Sequence, residues 1–167
     1  DATSPIINHC TFTGNTAKLG GGMANWDETR ATVFDCTFAY NNAVNCDECG
    51  GVSEGGGMYN NNNDASNLNL AIVSCTFENN TADYGGGMHN WWSSRPMLTD
   101  CTFTSNTSLL GNGITNGSFA STYFIGTYAS DELHIEEDGS FAFSAESTCD
   151  VTGSTVLSSE GTISFDI

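Results

Sequence analysis

Two short motifs recur four times each, always in the same order, and this repetition restricts the chain more than any other feature. The hexapeptide C-T-F-x-x-N occupies residues 10–15, 36–41, 75–80 and 101–106. Each copy is followed by G-x-G-[MI]-x-N, at residues 20–25, 55–60, 85–90 and 111–116. Successive motif cysteines lie 26, 39 and 26 residues apart. The 13-residue excess of the middle interval divides between its two spacers, nine residues before Gly55 and four before Cys75. A period that survives insertions at fixed corners marks stacked coils, each burying its apolar side against its neighbours.

Alternation sets the side-chain directions. Cys and Phe sit at i and i+2, so on a strand they share a face, and the Thr between them points the other way. Stacking therefore predicts an inward column of Phe12, Phe38, Phe77 and Phe103 beside a column of Cys10, Cys36, Cys75 and Cys101. Further inward columns are expected from Ile7, Val33, Ile72 and Leu98, and from Met23, Met58, Met88 and Ile114. The asparagines Asn15, Asn41, Asn80 and Asn106, with Asn25, Asn60, Asn90 and Asn116, fall at the bends. There an amide can cap turn backbone and bond to the same amide one coil along. The glycine runs suit positive φ or tight packing at a corner.

A leucine-rich repeat is the competing reading, because Ile7, Cys10, Phe12, Asn15 and Ala17 fit its spacing. The other half of each coil has no helical periodicity, and three adjacent glycines would cost a helix about 3 kcal/mol relative to alanine. The expected fold is therefore all-β: a right-handed parallel β-helix, or solenoid, of about four coils over residues 1–116. Residues 117–167 read as a β-rich cap or assembly segment. In it the stretches 132–136 and 140–143 flank Asp138-Gly139 as a β-hairpin, and the strand 161–167 alternates through Ile163, Phe165 and Ile167.

The F-x-x-N and G-G-G-M motifs resemble those of right-handed parallel β-helix repeat proteins of bacterial surfaces. Among these is the polymorphic outer-membrane protein family, with its F-x-x-N and G-G-A-[ILV] repeats. The resemblance covers residues 4–116 and implies a secreted or surface-displayed protein, often an adhesin, with no catalytic residues to carry over. The chain departs from that family by GGGM in place of GGAI and by its shortness.

Charge narrows the partners. Three basic residues (Lys18, Arg30, Arg95) stand against twenty acidic ones, for a net charge of −17. That balance argues against nucleic acid and anionic membranes, which are bound through Lys and Arg. No apolar run reaches the roughly 18 residues of a membrane-spanning helix, so no membrane insertion is expected. Seven cysteines suggest export to an extracellular or cell-surface location. The chain opens at Asp1 without a leader, as a mature product or an excised segment does.

Few residues remain for chemistry. Cys46 and Cys49, in the long loop of the second coil, are expected to form a local disulfide, since no second C-x-x-C and no nearby His completes a zinc site. The acidic group Asp131, Glu132, Glu136, Glu137 and Asp138 is a calcium candidate without a recognisable calcium-loop spacing, and no other cofactor is indicated. Trp26, Trp91 and Trp92 beside His89 offer stacking faces for surface glycans, or simply cover a corner. No carboxylate pair can be nominated for glycoside cleavage, and three basic residues are too few to hold an acidic polysaccharide. The expected role is thus structural or adhesive, not catalytic. The first coil begins at Ser4-Pro5-Ile6-Ile7 with no polar cap, so Ile6 and Ile7 together with Ile163, Phe165 and Ile167 are expected to mediate head-to-tail filament assembly.

Overall fold

The computed structural model describes residues 4–26, 31–45, 51–61, 70–117, 120 and 122. It also describes the backbone of short strands at Tyr123–Ile125, Ala129–Ser130, Leu133–Ile135, Phe141–Phe143 and Thr155–Val156. The chain is a parallel β-solenoid with three faces. The first sheet stacks Ile6–Asn8, Thr32–Phe34, Ala71–Val73, Met97–Thr99 and Tyr123–Ile125, all parallel. The second stacks Thr11–Thr13, Thr37–Ala39, Thr76–Glu78, Thr102–Thr104 and Ala129–Ser130. The third stacks Met23–Trp26, Met58–Asn61, Met88–Trp91 and Ile114–Asn116. Beyond these, Thr155–Val156 lies antiparallel on Tyr123–Ile125, and Phe141–Phe143 runs antiparallel against both Ile114–Asn116 and Leu133–Ile135.

Exact register makes like residues meet. Phe12, Phe38, Phe77 and Phe103 stack with ring centroids 4.7–4.8 Å apart and planes within 4°. Val33, Ile72, Leu98, Met58, Met88 and Ile114 are fully buried in the same core. The first coil contributes Ile7, Phe12 and Met23, which are only partly covered.

The asparagine columns close the polar side of this core. Asn41 Oδ1 accepts from both the backbone N–H and the Nδ2 of Asn15, at 3.1 and 3.0 Å. Its own Nδ2 donates to Asn80 Oδ1 at 3.0 Å and to the Phe12 carbonyl at 2.9 Å. Asn80 repeats the pattern towards Asn106 and Phe38. In the second column Asn25, Asn60 and Asn90 donate in turn to Asn60, Asn90 and Asn116 at 2.8–2.9 Å. Here Thr122 terminates the run, its hydroxyl accepting from Asn90 and donating to Asn116. A buried amide costs little only when its groups are paired, and repetition supplies those pairs along the ladder until its end, where Asn116 Nδ2 is buried without a partner.

The bends rely on left-handed backbone at residues the alternation pattern does not reveal. His9, Asp35, Ser74 and Asp100, each one residue before a motif cysteine, have φ of 50–51°. Gly14, Tyr40, Asn79 and Ser105, each one residue before a ladder asparagine, have φ of 52–66°. Asp, Asn and His tolerate this region better than most side chains, and Gly best of all.

Candidate functional site

Between the second and third sheets the coils pair first at Thr16–Ala17, Asn42–Ala43, Thr81 and Thr107, then through one bridging residue each, Leu19, Glu54, Tyr84 or Leu110, before the glycine run. The first glycine of the run has φ of 62–70°, which folds the chain back towards the third sheet. The outcome is a concave corner on the outside of the solenoid. Tyr59 and His89 point away from the core, because their neighbours Met58 and Met88 point into it. Both are nevertheless only 2 % exposed. Thr115 is buried in the same way, and its Oγ1 donates to the Leu110 carbonyl across the corner at 2.9 Å.

Aromatic rings fill this corner. His89 makes edge contacts with Tyr59, Tyr84 and Trp91 at centroid distances of 5.9, 6.0 and 5.7 Å. Trp26 tilts over Tyr59 at 5.3 Å. The Trp91 indole lies so close over Gly117 that no side chain could occupy that position.

The polar groups in the corner are poorly served. Neither ring nitrogen of His89 has a hydrogen-bond partner, and Nδ1 stands 4.0 Å from Glu54 Oε2, too far for a hydrogen bond. Burial lowers the His89 pKa to about 4, so the imidazole is neutral at physiological pH. Burial also raises the Glu54 carboxyl, although Lys18 opposes the shift. Tyr59 is pushed up to about 12 by burial and by the Glu54 carboxylate, to which it hydrogen-bonds. Asn61 Nδ2 donates to Tyr59 Oη at 3.2 Å, while Asn61 Oδ1 is buried without a partner.

This arrangement makes the corner acid-sensitive. The unfolded chain takes up a proton on His89 near its ordinary pKa of about 6.5, whereas the folded chain does so only near 4. The contribution of His89 is therefore fully present above pH ~6.5 and is lost as pH falls towards 4, amounting to about 3 kcal/mol. Glu54, with a raised folded pKa, works in the opposite direction through the carboxylate range. Urea unfolding of the wild type and of His89→Phe at neutral pH and near pH 4.5 checks this. The wild type should lose markedly more stability on acidification, and equal losses would overturn the assignment.

The residues singled out from the sequence divide into three groups. The Phe and Asn columns form a structural ladder, buried in the inner coils and open at Phe12 and Asn15 of the first. The motif cysteines are free thiols in a column. Cys36, Cys75 and Cys101 are buried, whereas Cys10, on the uncovered first coil, is exposed. Each Sγ–H points to a backbone carbonyl, as Cys75 does to Val73 at 3.2 Å, and burial raises the Cys36 thiol. Cys46 and Cys49, the acidic group Asp131, Glu132, Glu136, Glu137 and Asp138, and Ile163, Phe165 and Ile167 all lie outside the described residues. Among the described residues no three His, Cys, Asp or Glu side chains converge as a metal site. Glu54, Tyr59, Asn61 and Tyr84 were not legible as a group, because Glu54, Asn61 and Tyr84 sit in the spacers that the repeat leaves unspecified and Tyr59 at a variable position of its motif.

Comparison with known proteins agrees with the repeat. The family model of the Chlamydia polymorphic membrane protein repeat matches residues 74–87. That segment runs from the bend before Cys75, through the second-sheet strand and Asn80, to the end of the third coil's glycine run. No curated protein and no solved structure matches the chain. The chain thus carries a repeat similar to one found in a bacterial surface family, on a parallel β-solenoid.

Proposed function

We propose that this chain is a non-catalytic structural module of a bacterial surface, which associates end to end through the face of its first coil. The observation that carries the proposal is the incomplete burial of that coil. Phe77 and Phe103 are 0 and 3 % exposed, and Met58 and Met88 are 0 % exposed. Their first-coil counterparts Phe12 and Met23 are only partly buried, as is Ile7 beside the fully buried Val33, Ile72 and Leu98. A further coil of the same kind would place a phenylalanine on the open side of Phe12 and an amide against Asn15, continuing contacts the molecule already makes three times. The surface location is supported by the matched repeat and by a net charge of −17, which favours solubility and repels polyanions. The tail strand drawn from the sequence lies outside the described residues, so the proposal stands on the first-coil face alone.

Sedimentation velocity over a range of concentrations, with electron microscopy of the same samples, tests this reading. End-to-end association predicts species that lengthen with concentration into rods one solenoid wide. Ile7→Glu should return them to monomers without loss of the β-sheet spectrum. A compact monomer at every concentration would sink the proposal.

A further inference from the structure

One outward column of the third sheet departs from the repeat in a coordinated way: Trp26, Asn61 and Trp91 lie in register on successive coils. Trp26 is 48 % exposed, Trp91 is half-buried, and Trp92, on the turn that follows, is 46 % exposed. The column stands at the rim of the aromatic corner and is held from behind by Met23, Met58 and Met88, which alternate with it into the core. From these features we infer that the column is a binding strip for a neutral, β-linked hexose chain lying along the solenoid axis.

Three observations select this ligand. First, the spacing fits. Coils stack about 4.8 Å apart, so Trp26 and Trp91 stand roughly 10 Å apart along the axis, the length of one disaccharide unit of an extended hexose chain. An indole face packs against the C–H face of a pyranose, and two such platforms hold alternate rings of one chain. Second, the position between them carries an unused acceptor. Asn61 Oδ1 is buried and unpartnered, and His89 beneath the same rim has neither ring nitrogen paired. A buried polar group without a partner is costly, and turning the half-exposed Asn61 amide towards the strip lets a sugar hydroxyl donate to its oxygen. Third, charge excludes the acidic alternatives. A net charge of −17, with Glu54 inside the corner, repels uronate, sulfate and sialyl groups. The strip is carried on strands and is already ordered, so binding forfeits little conformational freedom. None of this depends on end-to-end association.

Tryptophan fluorescence and calorimetric titration of the full chain with cellohexaose and chitohexaose provide the test, with polygalacturonate as the acidic counterpart. At least one neutral hexasaccharide should bind saturably at millimolar concentration or below. Trp26→Ala and Asn61→Ala should each weaken that binding about tenfold, while the circular dichroism spectrum shows both variants still folded at the titration temperature. Trp91→Phe, which keeps a ring over Gly117, should give a smaller loss. The inference is overturned if neither neutral chain binds, if polygalacturonate binds equally well, or if Trp26→Ala and Asn61→Ala retain wild-type affinity.

Discussion

Gly86→Ala should cost about 4 kcal/mol or more, enough to leave much of a marginally stable domain unfolded. A Cβ on Gly86 would lie 2.7 Å from the carbonyl oxygens of both Asn112 and Thr107, and 2.8 Å from the Thr107 nitrogen. All three are backbone atoms of the next coil, fixed by Gly86 N–H donating to Gly111 and Gly87 N–H donating to Asn112. No side-chain rotation relieves such a clash, so the coils must move apart or the corner must unfold. The control is Asn112→Ala, at the same place in the fourth coil. Asn112 already carries a Cβ, and the substitution forfeits mainly its acceptance of the Ser108 N–H at 2.8 Å, a loss of about 1 kcal/mol. Urea unfolding of the two variants reads the difference. Similar losses at both positions would mean that coil-to-coil contact is not what the middle glycine protects.

Phe77→Ala should destabilise by about 3–5 kcal/mol. The Phe77 ring is fully buried and stacks on Phe38 and Phe103, both at 4.7 Å. Its removal opens a void that two rigid neighbouring coils cannot close, because their spacing is set by backbone hydrogen bonds. The same change in the first coil should cost distinctly less, since Phe12 stacks on one side only and is partly uncovered. Unfolding midpoints of Phe77→Ala and Phe12→Ala, measured under conditions where the chain is monomeric, decide the matter. Equal costs would mean that the column is not an additive stack.

The columns could be read from the sequence because a solenoid converts translation along the chain into contact. Once Cys10, Cys36, Cys75 and Cys101 fix the period, every residue at the same offset becomes a neighbour, and no longer-range information is needed. What escaped was whatever the period does not determine. Alternation places Tyr59 and His89 on the outside, which ordinarily means exposed. Their burial depends on how sharply the glycine run turns and on Glu54 and Tyr84, single residues in spacers of unequal length. The left-handed bends at Asp35, Ser74 and Asp100 have a weak local signal, a short polar residue one place before a cysteine. The change from G-G-G to Gly111-Asn112-Gly113 is the plainest overlooked mark. It occurs in the fourth coil, beyond which the third sheet is continued by an antiparallel strand.

The amide ladder also gives the molecule a polarity. In both asparagine columns the amides of the first three coils donate towards the higher-numbered coil, so their dipoles align and each bond polarises the next. The two ends of such a stack are chemically different. The first coil offers the acceptor oxygens of Asn15 and Asn25, whereas at the fourth the Thr122 hydroxyl donates to Asn116 Oδ1 and the last donor of that column, Asn116 Nδ2, is buried without a partner. Two first-coil faces brought together would set oxygen against oxygen. Growth on that face therefore has a single sense, with the incoming coil pointing the same way as the one it joins.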